Sequence, residues 1–348
     1  MNAGKMIRVL IIVVFVVVAL AVFMRLAGPN STDRTGIGDS MVDLSDVAQK
    51  INGVEFQFGA DSLRAERGPS GWVIATRDQF PAKDETIQDL VRGLISLKKS
   101  QRMTAKPDRH AELGLAWPAT GEGNEARRVR IFVENSTDPI VDIVVGRAVQ
   151  SPAGVYVRNN AEDQTWRCVG TLGPMSDPGA WLAGPVADIS ADEIQQVDFD
   201  GMTMTSKEGQ WSVVSAGPTS EVTPAQNPKH EAMKGTLPYL LSGFQPEDVR
   251  RERADDLAHP DQIAAILRLD ENHSVDVQLW KEGDAIWIRF AIGDCAGEPN
   301  EKLAKFAEKW SGWVFKMPTW KGGHLKPLFE SNTVVPGTQS PPPIDAPK

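Results

Sequence analysis

The chain has 348 residues, more than one ordinary hydrophobic core accommodates, and this length suits two folded domains. Hydrophobic residues make up 41% of it and charged residues 24%, values that exclude wholesale disorder and a polytopic membrane protein. The net charge of −9 would repel nucleic acid and anionic lipid surfaces, so neither is expected as a partner.

The first element in the chain is an apolar run, which is uninterrupted from Val9 to Met24. We predict a transmembrane anchor over residues 7–26, because about 20 helical residues cross a hydrocarbon core of about 30 Å. Arg8 lies at one end of this segment, where its side chain can reach the headgroups. The sequence therefore predicts a single-pass membrane protein.

The charges around this run predict its orientation. Lys5 and Arg8 precede it, so the positive-inside rule places a short tail, residues 1–6, in the cytoplasm. A cleaved signal peptide is the alternative, since Ala19 and Ala21 have the spacing of a cleavage site, but both lie inside the apolar run. We expect a bacterial inner-membrane protein whose C-terminal bulk lies in the periplasm or outside.

Two polar segments flank the part of the chain that can fold. Residues 27–43 are small and polar and are predicted to form a stalk, and residues 331–348 are predicted to be a disordered tail rich in proline. Between them we predict two modules, at residues 44–186 and 187–330. Each is expected to be of the α+β class, a mostly antiparallel sheet covered by one or two helices.

The start of each predicted module carries matching motifs. DVAQKINGVEF ends at residue 56 and DEIQQVDF ends at residue 199, and Trp72 and Trp211 each stand between a glycine turn and a short apolar run. Further along, LGLAWP at 113–118 corresponds to DLAHP at 256–260, which we interpret as a turn leading into a strand. We therefore predict a tandem duplication.

Two strand-rich runs extend this match. VRIFVENSTDPIVDIVVG ends at Gly146 and VQLWKEGDAIWIRFAIG ends at Gly293, and each is typical of a strand, a turn and a second strand. After them come GVYVR at 154–158 and GWVFK at 312–316. The prediction is that Gly146 corresponds to Gly293 and that these two short strands correspond to each other.

Each module is also predicted to hold a helix after its tryptophan. In the first, over residues 83–100, Asp84 and Glu85 lie in the first turn and Lys98 and Lys99 in the last, as the helix dipole favours. In the second, over residues 229–244, Pro238 would kink the helix or mark its start. The predicted apolar faces are Ile87, Leu90, Val91, Leu94 and Leu97 in the first helix, and Met233, Leu237, Leu240, Leu241 and Phe244 in the second.

Candidate catalytic residues are few. Gly38-Asp39-Ser40 and Asp256-x-x-His259 have the chain order of a GDS-type esterase triad, but Ser40 follows a polar stalk and not a buried strand. The two adjacent acidic pairs, Asp192 with Glu193 and Asp255 with Asp256, are interpreted as solvated helix caps.

Metal and ligand sites are equally weakly indicated. The five histidines lack the spacing of metal ligands, and the two cysteines, Cys168 and Cys295, allow one disulfide or two isolated thiols. Trp310, Trp313 and Trp320 lie close together in the sequence; they could stack on sugar rings or on a partner protein, but packing in the core is the favoured interpretation. We predict no catalytic, cofactor or metal site.

Taken together, the anchor and these motifs resemble a bacterial membrane-anchored family catalogued as domain of unknown function 4340. The second copy departs from the motifs, with Ala258 and His259 at the turn and Trp313 and Phe315 at the strand. The first copy carries them at Trp72, Leu113, Gly114, Leu115, Pro118, Gly146, Gly154, Tyr156, Val157 and Arg158.

The resemblance implies genes encoded beside ABC transporters of the gliding-motility type, and a fold with no assigned chemistry. It predicts a non-enzymatic accessory or scaffold subunit of an envelope transport system, whose partner is a membrane protein such as an ABC transporter subunit. One alternative is a protein that binds a glycan or small ligand in a cleft between the modules, and a third is a GDS-type esterase.

Overall fold

The computed structural model describes residues 36–118, 125–173, 175, 177–199, 201–215, 233–259, 262–293 and 300–329. The predicted anchor at 7–26, most of the predicted stalk and the tail at 331–348 lie outside the described residues. Within the ranges given, no helix is long and apolar enough to cross a membrane.

The N-terminal half of the described chain forms one antiparallel sheet. Its strands are β1 (Ile51–Phe58), β2 (Asp61–Gly68), β3 (Gly71–Ile74), β4 (Phe80–Pro81), β5 (Lys98–Arg102), β6 (Arg127–Val133), β7 (Val141–Val149), β8 (Gly154–Asn159) and β9 (Thr165–Val169). In space they follow the order β4-β3-β2-β1-β6-β7-β8-β9-β5. Helix α1 (Asp84–Ser96) connects β4 to β5, the two edge strands.

The C-terminal half forms a second antiparallel sheet. Its strands are β10 (Gln196–Phe199), β11 (Met202–Lys207), β12 (Gln210–Ser215), β13 (Asp248–Arg251), β14 (Ile263–Arg268), β15 (Ser274–Glu282), β16 (Ala285–Ile292) and β17 (Trp313–Lys316). Their spatial order is β12-β11-β10-β14-β15-β16-β17-β13. Helix α2 (Glu301–Trp310) lies between β16 and β17, and α3 (Thr319–Phe329) follows β17. The predicted class, α+β with mostly antiparallel sheets, is confirmed.

Apart from β4, the two strand orders correspond one to one. The strands β3-β2-β1-β6-β7-β8-β9-β5 have the counterparts β12-β11-β10-β14-β15-β16-β17-β13. The register agrees as well: one buried row across the first sheet runs Ile131, Val54, Ala65, Ile74, and the matching row in the second runs Leu267, Val197, Met204, Val213. Trp72 and Trp211 each lie two residues before the end of their row.

The predicted correspondence of Gly146 with Gly293 is wrong. Gly146 lies within β7, whose counterpart is β15, whereas Gly293 follows β16. The match of residues 154–158 with 312–316 is displaced in the same way, because β8 corresponds to β16 and β17 to β9. Successive antiparallel strands have the same alternating pattern, so a match of sequences can slip by one strand without a loss of similarity.

The first predicted helix is confirmed, but it ends at Ser96, earlier than predicted. Helix α1 buries Ile87, Leu90 and Leu94, as its spacing predicts. Leu97 has extended backbone angles (φ −71°, ψ 114°), and Lys98 and Lys99 begin β5 and do not form a last helical turn. Pairing of β5 with β9 takes these lysines out of the helix.

The prediction of a second helix is wrong, because this segment does not form a continuous α-helix. The described part of this segment, from residue 233 on, consists mainly of turns and a short 3-10 helix, Leu237–Tyr239, which contains Pro238. Proline removes a backbone donor and opposes a continuous α-helix. The side chains of the predicted apolar face are nevertheless all buried: Met233, Leu237, Leu240, Leu241 and Phe244.

A continuous hydrophobic core joins the two sheets. At the junction, the ring of Phe80 on β4 meets Trp313 on β17 edge to face, with centroids 5.0 Å apart. Beside this contact, Arg77 Nε donates to Asp248 Oδ1 at 2.5 Å. The β4 edge of the first sheet is thereby held against the β13–β17 edge of the second.

Candidate binding cleft between the two sheets

A cleft of about 620 Å³ opens at the junction of the two sheets. The turn between β1 and β2 and the 3-10 helix Ala75–Arg77 contribute residues from the first sheet, and residues 177–180 of the connecting segment form part of the wall. The opposite wall comes from the segment entering β13 and from the start of α3. The volume of the cleft falls within the range of small-molecule sites.

Four of the charged side chains in the cleft form ion pairs. Arg77 pairs with Asp248 across the junction, and Lys316 Nζ lies 3.3 Å from Glu247 Oε2. Glu247 also accepts the backbone N–H of Thr319 at 2.5 Å, at the start of α3. Burial alone would raise the pKa of Glu247, but the hydrogen bonds from Thr319 and the charge of Lys316 outweigh it and hold this pKa below its ordinary value. Glu247 is therefore an anion near neutral pH.

Trp320 is the exposed aromatic side chain of the cleft. It is 68% exposed, whereas Trp310 and Trp313 are 2% and 7% exposed and belong to the core. Among these three tryptophans, the prediction of core packing therefore holds for two and is wrong for Trp320. An exposed indole beside paired charged groups can stack on a sugar ring or another flat surface.

The residues of the esterase hypothesis have other partners. Ser40 bridges to Lys98 at the edge of the first sheet, and its hydroxyl accepts a hydrogen bond of 2.7 Å from Lys98 Nζ. Asp256 lies in the second sheet region, where both its carboxylate oxygens accept hydrogen bonds from Arg250, and the ring of His259 lies 6.4 Å from that of Trp280. The described contacts therefore do not assemble a triad.

The acidic pairs have different environments. Glu193 caps the 3-10 helix Ala191–Glu193 by accepting the N–H of Ser190, as predicted for a cap, and pairs with Lys302 at 2.7 Å. Asp256 also caps its helix, but it is 3% exposed, so the prediction of a solvated cap is wrong there. Burial by itself would raise the pKa of Asp256, but the hydrogen bonds from Arg250 and the Arg253 N–H outweigh it and lower this pKa.

Thiols and imidazoles are dispersed through the described chain. Cys168 on β9 is fully buried, and burial raises the pKa of its thiol to about 12, so it is a poor nucleophile. Cys295 lies outside the described residues, and the hypothesis of a bond between the two remains a prediction. Over the residues that the structure describes, no group of three or more histidine, cysteine, aspartate or glutamate side chains could hold a metal ion.

Some of the motif residues that carry the resemblance, at 113–115, Gly146, Tyr156 and Arg158, meet on the side of the first sheet away from the main core. A Cβ at Gly146 would stand 2.4 Å from the carbonyl oxygen of Leu113, so only glycine lets β7 approach this turn. Arg158, 6% exposed, donates to the carbonyl of Leu115 at 3.3 Å. A small apolar cluster of Leu115, Ala126 and Val144, with Leu113, Trp117 and Tyr156 packed against it, completes the contact. These contacts fix the turn at residues 113–115 against the sheet.

The cleft itself gave little signal in the sequence. Arg77 and Asp248 are 171 positions apart, and neither belongs to a recognisable motif. Trp320 lies close to other tryptophans in the sequence, but its exposure follows from its place at the start of α3 and not from these neighbours. Only the position of the cleft, between two modules, could be anticipated.

Comparison with known proteins gives one match. A family model described as Domain of unknown function (DUF4340) matches residues 72–262, which is more than half of the chain. The matched segment begins in β3 and ends just before β14, so it runs from the first sheet into the second. No curated protein and no solved structure matches the chain.

Proposed function

Because the chain belongs to the family of domain of unknown function 4340, we propose that it is a non-enzymatic, membrane-anchored accessory or scaffold subunit of an envelope transport system. The anchor would be residues 7–26, with the two sheets in the periplasm or outside. The resemblance implies an ABC transporter as the partner. The two sheets would be tandem copies of one module, and their corresponding strand orders support this.

The observation that carries the proposal is that charged side chains in the cleft bind one another. Arg77 and Asp248 bind each other across the junction, and Glu247 is held by Lys316 and the start of α3. A general base or nucleophile needs a group that is free to meet a substrate. Arg77 and Asp248 connect the sheets instead, and Glu247 is engaged within the second sheet region, which suits a rigid binding surface.

Anchoring near a membrane partner would also strengthen a weak interface. Two proteins held in one membrane meet at a high effective concentration, so a modest contact area is sufficient. This supports a scaffold role for a chain that would be anchored through residues 7–26.

Purification of the full chain from native membranes in a mild detergent tests the proposal. We expect ABC transporter subunits to co-purify with it, and we expect Ser40→Ala and His259→Ala to leave both this association and the cellular phenotype intact. Loss of the phenotype in Ser40→Ala, with folding and expression preserved, would contradict the proposal and favour the esterase. Alkaline phosphatase fused after residue 330 should be active if the orientation is correct.

A second candidate is glycan binding in the cleft, which the 68% exposure of Trp320 favours. A stacking site requires the flat indole face, so Trp320→Ala should abolish binding on a glycan array, and Trp320→Phe should retain part of it. His324→Ala, an exposed change on the same helix, is the matched control. Absence of any glycan binding by the unmodified chain would eliminate this candidate and leave the scaffold proposal standing.

A further inference from the structure

One edge of the first sheet is strongly basic, although the whole chain carries −9. The edge strand β5 and the residues after it contain Lys98, Lys99, Arg102 and Lys106, and no acidic residue lies between 96 and 107. Lys98, Arg102 and Lys106 are exposed, and Lys99 is half-buried with its ammonium 5.0 Å from the ring of Trp166. The charge is therefore concentrated at one strand, where Lys98 Nζ also donates to Ser40 Oγ and Arg102 Nε to Gln164 Oε1.

The N-terminal part of the described chain joins the fold at this same edge. The N–H of Gly38 donates to the carbonyl of Lys99 at 2.8 Å, and that of Met41 to the carbonyl of Leu97 at 2.8 Å. Only residues 27–35 separate this segment from the predicted anchor, a reach of about 30 Å when fully extended. On the proposed anchoring, this reach keeps the β5 edge within about 30 Å of the membrane.

Two exposed apolar side chains flank the basic residues. Val169, 39% exposed, is the strand partner of Lys98, and Ile37, 40% exposed, precedes Gly38. Cationic side chains beside exposed apolar ones are typical of surfaces that rest on a lipid headgroup layer.

We propose that this membrane-facing edge, made of Ile37, Lys98, Lys99, Arg102, Lys106 and Val169, docks on the anionic phospholipid headgroups of the membrane that holds the anchor. The proposal rests on the proposed anchoring through residues 7–26. Lipid phosphates accept hydrogen bonds from the lysine and arginine side chains, and the apolar pair enters the headgroup layer. This contact fixes the height and tilt of both sheets above the membrane.

The net negative charge does not oppose this contact. At physiological ionic strength the Debye length is about 8 Å, so acidic side chains elsewhere on the molecule are screened from the lipid. Three exposed acids, Asp39, Asp108 and Asp163, lie near the edge, and they offset only part of the charge of the four basic residues. The expectation from net charge, that anionic lipid repels the chain, therefore does not extend to this edge.

Lysine acylation of the full chain in lipid nanodiscs tests the docking. In nanodiscs of phosphatidylcholine mixed with phosphatidylglycerol, we expect Lys98 and Lys106 to be acylated at least about threefold more slowly than in phosphatidylcholine alone. High salt should remove the difference, because the attraction is electrostatic. Lys305, exposed on α2, is the internal control and should react equally in both lipids.

Charge reversal separates docking from other effects of lipid. Arg102→Glu with Lys106→Glu should abolish the lipid dependence at Lys98, whereas Lys305→Glu with Lys309→Glu, an equal change of charge on α2, should preserve it. Equal acylation of Lys98 in both lipids would overturn the docking and leave the anchoring intact. Failure of the full chain to enter nanodiscs at all would overturn the anchoring itself.

Discussion

Asp248 accepts a hydrogen bond of 2.5 Å from Arg77, a residue 171 positions earlier in the chain. This ion pair joins the two sheets. The side chains are 19% and 27% exposed, so water only partly screens them. The contact lies next to the rings of Phe80 and Trp313, which close the junction from the apolar side. The ion pair and the ring contact thus add a charged and an aromatic contact to the continuous core that joins the two sheets.

We expect a double-mutant cycle on Arg77→Ala and Asp248→Ala to give a coupling free energy of about 1 kcal/mol. Urea unfolding of the detergent-solubilised chain measures it. The pair Lys305 with Glu301 on α2 is the control, since these side chains are 70% and 85% exposed, and its coupling should be about 0.3 to 0.5 kcal/mol. A coupling at the junction no larger than at this surface pair would show that the ion pair does not hold the sheets.

Gly146→Ala should destabilise the first sheet by about 1 to 3 kcal/mol, because the new methyl group would lie 2.4 Å from the Leu113 carbonyl oxygen and 2.9 Å from that of Gly114. Both neighbours are backbone atoms, so neither can move without a shift of the turn. Gly323→Ala on α3 is the control: no atom lies within 4 Å of the added group, and it should gain up to about 1 kcal/mol. Equal stability of Gly146→Ala and the unmodified chain would refute the close approach.

Trp72→Ala should lower the free energy of unfolding by about 3 to 5 kcal/mol, since this side chain is 8% exposed and packs in the core. Trp211 occupies the corresponding position of the second sheet but is only half-buried. Trp211→Ala should therefore cost less, and chemical denaturation of both variants compares them directly. An equal or larger cost for Trp211 would mean that its surroundings are more closed than the structure shows.

Local patterns in the sequence predicted some elements because local interactions decide them. Helix α1 follows from apolar side chains at helical spacing, and its buried residues Ile87, Leu90 and Leu94 are those expected. The same kind of signal is present for α2, where the Asn300 side chain accepts the N–H of Leu303 and Trp310 is buried, but the sequence predictions do not include this helix. A cap followed by apolar residues at that spacing would have revealed it.

Contacts between distant residues decided the rest. Lys98 and Lys99 suit a helix end by charge, yet pairing with β9, about 70 residues later, places them in a strand. The cleft depends on Arg77 meeting Asp248, and no periodicity or motif in either segment encodes that meeting. The wrong match of Gly146 with Gly293 has the same origin. Which strands correspond is decided by their order in the assembled sheet, and the sequence alone does not show that order.

Asp256 should make the second sheet region sensitive to acid. Its folded pKa lies below the ordinary value, so the stability it contributes is present above about pH 4 and is lost as the pH falls through the lowered folded pKa. Asp256→Asn should cost about 3 kcal/mol near neutral pH, because it leaves the largely buried Arg250 with only Glu282 as a charged partner. The gap between the two unfolding free energies should then narrow below pH 4.

Thermal unfolding of both chains between about pH 7 and pH 3 measures this gap, with the pH range set by the ordinary pKa of aspartate. Asp255→Asn is the matched control: Asp255 is the exposed neighbour on the same 3-10 helix, so its removal should leave a curve parallel to that of the unmodified chain. If the Arg250–Asp256 ion pair stabilises the fold, the unfolding free energy of Asp256→Asn should depend less on pH than that of the unmodified chain. Parallel curves for Asp256→Asn and the unmodified chain would show that Arg250 does not hold this carboxylate in its charged form.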